Sequence, residues 1–223
     1  MNFLLFMLCY VTEDNLCGKL FQETGTMRLI IARHMETVAN RNGIILGCLD
    51  SPPTEAGLDS CHKLAALTRR EGTGIVLASP LGRAVATAEI FAIVAGWQVV
   101  KMDGLAELSC GEWEGRPRLS LLPPGRPLRS TWTDAPGGGE SCAGAASRVE
   151  EVIHHLRRST QENILVIGHA AVNQVFLKIW LSLDPQEALA VQHPHDLLYE
   201  IENLHVSWLN SAGVKGEGLV IKR

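Results

Sequence analysis

The chain has 223 residues, 46% of them hydrophobic, and a formal net charge of -4. That is enough for one well-buried domain without demanding two, and the negative balance argues against a nucleic-acid or anionic-membrane surface, so any positive potential must be focused in a pocket. Six cysteines at positions 9, 17, 48, 61, 110 and 142 form no Cys-x-x-Cys pair or metal-ligand spacing and read as free thiols of a reducing, cytoplasmic compartment.

The first 26 residues stand apart. Phe3 to Val11 is apolar but too short to span a bilayer, and it has neither a basic leader nor a clear cleavage site. Either Met27 is the physiological start and 1–26 is an upstream extension, or 1–26 holds a short helix packed on the domain or on a partner subunit. The remainder, 27–223, reads as a single domain.

Met27 to Ala32 is an apolar, β-branched run that stops at Arg33-His34. A buried strand with that ending brings a guanidinium and an imidazole to the carboxyl edge of a sheet, where open α/β folds bind ligands. The plain alternative is an exposed loop start. Gly43 to Pro53 is loop, and Thr54 caps a helix to about Arg70, with Ala56, Cys61, Leu64, Ala65 and Thr68 as its apolar stripe. Gly74 to Ala78 is a second strand. Pro80 and Leu81 then open a helix to about Ala95 with Arg83 in its first turn, where helix N–H groups also favour anions.

Trp97 to Met102 is a third strand, followed by Glu107 and a turn at Gly111 to Gly115. The stretch 116–139, rich in Pro, Gly and Arg, has no period and reads as a lid-like insertion. Its closing glycines follow no strand, so they are not a nucleotide-binding turn. Ser141 to Arg158 is an amphipathic helix. Asn163 to Gly168 is a fourth strand, again ending at a histidine, His169, and Ala171 to Leu181 is the next helix. Leu197–Ile201, His205–Leu209 and Gly218–Ile221 read as closing strands. The order implies a three-layer α/β/α sandwich around a mostly parallel sheet. Parallel neighbours would converge two arginines and two histidines on one anion.

Five segments, in order, resemble the motifs of the histidine phosphatase superfamily, in its phosphoglycerate-mutase-like branch. They are Arg33-His34-Met35-Glu36-Thr37, Ser79 to Ala88, Leu105 to Leu108, Gly111 to Gly115 and Gly168-His169-Ala170. The resemblance covers 27–223 and is nearest to small phosphatases such as alpha-ribazole phosphatase and broad-specificity enzymes. It implies a metal-independent, cofactor-free phosphomonoester hydrolase, with His34 attacking phosphorus to form phosphohistidine. Arg33, Arg83 and His169 would clamp the phosphate, and Glu107 would be the acid and then the base. Thr37, Asn40 and Ala170 would complete the substrate pocket, while Ser79 would support that loop or cap the following helix. The implied partner is a small phosphorylated metabolite, and a homodimer is compatible.

His34 must be neutral to attack, and Arg33 and Arg83 disfavour its charged form. His62, His154, His155, His193, His195 and His205 take the plain reading of helix-face or loop histidines. One departure matters: Met35 stands where the family usually has glycine, so it either crowds the ligand or lines the pocket. Pro53 also replaces a residue that is often apolar. Two other functions stay open, a phosphoglycerate mutase and a non-catalytic phospho-ligand module disabled by Met35.

Overall fold

The computed structural model describes residues 27–69 and 71–222; residues 1–26 and Arg70, with the readings attached to them, lie outside it. Among the described residues, seven strands form one sheet in the order β3-β2-β4-β1-β5-β6-β7. They are β1 (Arg28–Arg33), β2 (Gly74–Ala78), β3 (Gln98–Lys101), β4 (Asn163–Gly168), β5 (Leu197–Glu202), β6 (His205–Asn210) and β7 (Lys215–Glu217). The first four run parallel, while β5 to β7 are antiparallel. The sheet is therefore mixed, and its parallel half holds the strand ends singled out by sequence.

Side-chain alternation divides the core into two faces, as the two-residue period of a strand requires. Leu29 and Ile31 of β1, with Ile164 and Val166 of β4, join α4 (Cys142–Arg157) and α5 (Ala170–Leu181) on one face. Ile30 and Ala32, with Leu165 and Ile167, join α2 (Glu55–Thr68) and α3 (Gly82–Ala95) on the other. Two short helices, α1 (Val38–Arg41) and α6 (Pro185–Ala190), sit between these layers' connections. The α/β/α architecture expected from the element order is thus present.

Helix starts follow their caps. Thr54 Oγ1 accepts from Gly57 N at 2.9 Å to open α2, and Ser141 Oγ accepts from Gly144 N at 3.0 Å to open α4. The strand expected at Gly218–Ile221 is displaced: β7 occupies Lys215–Glu217 because the turn at Gly213 (φ 81°) closes earlier, and Gly218 (φ 75°) ends the pairing. Residues 220–222 instead bond to 190–192, through Gln192 N to Val220 O at 2.8 Å and Lys222 N to Ala190 O at 2.8 Å. No described helix is long and apolar enough to cross a membrane.

Candidate active site

The parallel strands β1 and β4 are in register, so Arg33 stands opposite Gly168, and His34 and His169 leave the same edge together. Their rings lie 5.0 Å apart between centroids. Arg83 reaches them from the first turn of α3, its Nε donating to His34 Nε2 at 3.2 Å. The structure thus brings two imidazoles and the Arg83 guanidinium to one strand edge, with Arg33 directly preceding His34.

His34 is held in one tautomer. Its Nδ1 donates to Met35 O at 2.8 Å, which leaves the Nε2 lone pair facing Arg83. Burial, reinforced by His169, Arg33, His195 and Arg83, holds the His34 pKa well below its ordinary value. Burial is a larger cause than the two arginines expected to depress it. His169 is depressed in the same way, by burial first and then by Arg83 and Arg33. Its Nε2 meets Ser79 Oγ at 2.7 Å, while its buried Nδ1 makes no hydrogen bond within the protein. Ser79 also accepts from Leu81 N at 3.3 Å, so it both supports His169 and braces the entry to α3.

Arg83 is fixed by the preceding loop. Nη2 donates to Gly47 O at 2.7 Å, and Nη1 donates to Leu49 O and, at 3.1 Å, to Asp50 Oδ1. Asp50 also accepts the backbone N–H groups of Gly82 and Arg83, at 2.8 and 3.1 Å, and so caps α3. This cradle was not legible, because nothing in Gly47 to Asp50 marks it beyond loop composition. Arg33 donates through Nη1 to His193 O at 3.2 Å, whereas its buried Nε has no partner in the protein. Burial lowers its pKa to about 10, opposed by Glu107 and assisted by Arg83.

Glu107 is presented by the loop after β3. Its Oε1 accepts from Leu108 N at 3.0 Å and Val172 N at 3.1 Å, and Oε2 accepts from Ala171 N at 3.4 Å. The carboxyl thus sits on the first turn of α5, next to His169, with Ala170 opening that turn. Thr37 and Asn40 form a reciprocal cap on α1: Thr37 N donates to Asn40 Oδ1 at 3.2 Å, and Asn40 N to Thr37 Oγ1 at 3.3 Å. They shape the loop after His34, with Asn40 Oδ1 committed to that cap.

Two histidines given a plain reading belong to this site. His195 Nδ1 donates to His34 O at 2.7 Å, and its ring stands 5.0 Å from that of His34. His193 is buried and receives Arg33 on its carbonyl. Burial lowers the two pKa values to about 4 and about 3 respectively, with Arg33 adding to both. Both precede β5, which runs antiparallel to β1 and so begins at the site's edge. The signal available in the sequence was His-Pro-His one residue ahead of a strand.

Met35 neither crowds nor lines the pocket. It is 2% exposed, has no left-handed φ, and belongs to the apolar cluster with Ala65, Ala84 and Ala88. Its N–H donates to Thr87 Oγ1 at 3.0 Å, and Thr87 donates in turn to Arg83 O at 2.7 Å. Methionine therefore costs the site nothing in backbone conformation. The segment 116–139 is pinned to the body by Arg129, whose Nη2 donates to Ser109 O at 3.3 Å and Glu140 O at 2.9 Å.

Several known proteins resemble this chain in sequence or fold. A probable phosphoglycerate mutase of Yersinia enterocolitica is 29% identical over 194 residues, covering 84% of this chain and 90% of that one. A mycobacterial glucosyl-3-phosphoglycerate phosphatase superposes with a TM-score of 0.68 at 21% identity, covering 89% of this chain and all of that one. The alpha-ribazole phosphatase of Shigella flexneri superposes with a TM-score of 0.64 at 26% identity, covering 88% and 96%. Residues 29–210 match the Histidine phosphatase superfamily (branch 1), and the chain is an enzyme belonging to that superfamily.

Proposed function

We propose that the protein hydrolyses small phosphate monoesters through a phosphohistidine on His34. The observation that carries this reading is the pair of buried nitrogens left unpartnered on Arg33 and His169, at the strand edge that bears His34; with Ser79 Oγ donating to His169 Nε2, both are donors. Arg33 Nε and His169 Nδ1 are buried without protein partners, and Arg83 Nε already points at the nucleophilic nitrogen. Buried donors of this kind are costly unless a ligand accepts from them, and a phosphoryl group offers several acceptor oxygens. Two guanidinium groups supply the positive charge that such a group needs, so the reading calls on no metal.

The steps balance on these residues alone. His34 Nε2 attacks phosphorus, the phosphorus–oxygen bond to the alcohol breaks, and Glu107 gives its proton to the leaving oxygen. Water then attacks phosphorus, the phosphorus–nitrogen bond breaks to release His34 Nε2, and the water's proton passes to Glu107. Phosphate leaves and His34 is neutral again. The burial that depresses His34 keeps its lone pair available for the first step.

Relatives described as a mutase, a glucosyl-3-phosphoglycerate phosphatase and an alpha-ribazole phosphatase share a phosphorylated small molecule as their common chemistry. Alpha-ribazole phosphate, sugar phosphates and phosphoglycerates are therefore the panel to assay. A mutase must keep water from its phosphohistidine, whereas a phosphatase admits it, so phosphate release against phosphoglycerate exchange separates the two. The first test is p-nitrophenyl phosphate with a chelator present: the wild type turns over and His34→Ala falls to background. A wild type that binds phosphate but releases none from any ester would leave only a binding module.

A further inference from the structure

We infer that Glu114 is a positioning residue that ties the arginine cradle to the loop bearing the candidate acid. The inference rests on the phosphate clamp proposed above, and it concerns what keeps that clamp's two arms in one geometry. Glu114 Oε1 accepts from Cys48 N at 3.2 Å, from Ser109 Oγ at 3.0 Å and from Cys110 N at 2.8 Å. The first donor lies in the cradle, and the other two lie just beyond Glu107.

Peptide planarity gives the first contact its consequence. Cys48 N–H and Gly47 C=O belong to one peptide unit, so fixing the N–H fixes the direction of the carbonyl. That carbonyl accepts from Arg83 Nη2 at 2.7 Å, and Leu49 O, two residues further on, accepts from Nη1. Glu114 thereby sets the acceptors that hold the guanidinium against His34. The approach is close enough to dictate the residue opposite: a Cβ on Gly47 (φ +51°) would lie 2.1 Å from Glu114 Oε1. The second arm is clamped from its far side as well. Gly111 and Gly137 pack backbone on backbone, where a Cβ on Gly111 would lie 2.0 Å from Gly137 O. The arms also touch directly, Cys48 Sγ donating to Glu107 O at 3.5 Å.

Calorimetric binding of inorganic phosphate to the full chain tests this without requiring turnover. Glu114→Ala is expected to weaken phosphate binding at least about tenfold, and Glu114→Gln, which keeps an acceptor oxygen, by no more than about threefold, because both arms hang on hydrogen bonds accepted by that one oxygen. Since the effect passes through Arg83, the Glu114→Ala loss should shrink to under about threefold in an Arg83→Lys background. If Glu114→Ala does not fold, Glu114→Asp keeps the charge but shortens the reach, and it should lose at least about fivefold. Phosphate binding within about twofold of wild type in the alanine variant, or an undiminished loss in the Arg83→Lys background, would overturn the inference. A wild type that binds phosphate yet hydrolyses no ester would instead sink the catalytic reading and leave this one standing.

Discussion

In the parallel half of the sheet, β1, β2 and β4 end at the site, and the residues that follow them, His34, Arg83 and His169, reach into it. In the antiparallel half, β5 begins there, and the residues that precede it, His193 and His195, arrive at the same edge. The two sets make different contacts. Arg33 Nε and His169 Nδ1 have no protein partners, and neither has His193 Nε2, but His193 and His195 also engage residues of the other half, by a carbonyl to Arg33 and a ring N–H to His34 O. The parallel half thus holds the groups that can meet a phosphate, and the returning half holds those groups in place. In a mixed sheet, functional residues are to be sought after the parallel strands and before their antiparallel neighbour.

The sharpest way to break that division is to remove the acid while keeping most of its holding contacts. Glu107→Gln keeps one oxygen to accept from Leu108 N and Val172 N, gives up the long contact from Ala171 N, and cannot release a proton to a leaving group. Turnover of p-nitrophenyl phosphate should fall by about 100- to 10,000-fold, the usual contribution of general acid–base catalysis. Phosphate affinity, measured by calorimetry, should stay close to wild type. A loss below about tenfold would place the proton transfer elsewhere and blur the distinction between the halves.

Both halves share one liability, which pH exposes. His34, His169, His193 and His195 are all held neutral by burial, with folded pKa values depressed below the ordinary value near 6.5. The unfolded chain takes up these protons as pH falls through about 6.5, while the folded chain does not, so unfolding gains protons and stability drops with acid. The loss continues until the folded values are reached, about 4 for His195 and about 3 for His193. Urea unfolding between pH 7.5 and 5 should lose about 1.4 kcal/mol per pH unit for each such histidine once below its unfolded value. His193→Gln should flatten that slope by about one proton. A flat profile down to pH 5 would mean that the rings are hydrated and the site open.

Most of the fold was legible because its signals are local. Caps at Thr54 and Ser141 mark helix starts, and the apolar runs of β1 and β4 are long enough to demand burial. Arg33, His34, Arg83, Glu107 and His169 were legible from motif order, and the structure brings them together. What was not legible depends on pairing between distant segments. The Gly47–Asp50 cradle exists only because α3 aims Arg83 at it, and β7 lies three residues early because Gly213 turns the chain first. Met35 could not be assigned to pocket or core from its own identity, since that depends on which way the loop leaves β1. His195 was missed for a different reason: a histidine ahead of a strand looks like any loop residue until the strand's direction is known.

His195 also supplies the smallest effect that still tests the division. If the returning half only holds the nucleophile, His195→Ala should remove one buried hydrogen bond to His34 O and no reacting group. A hydrogen bond of that kind contributes about 1 kcal/mol, or roughly fivefold in kcat/KM. His195→Asn can present a side-chain N–H in a similar place, so it should recover most of that loss, which a purely steric role for the ring would not allow. The acid limb of the pH–rate profile should keep its position in both variants, because burial rather than His195 is the main cause of the depressed His34 pKa. A loss approaching that of Glu107→Gln, unrecovered by asparagine, would move His195 from the holding half into the reacting one.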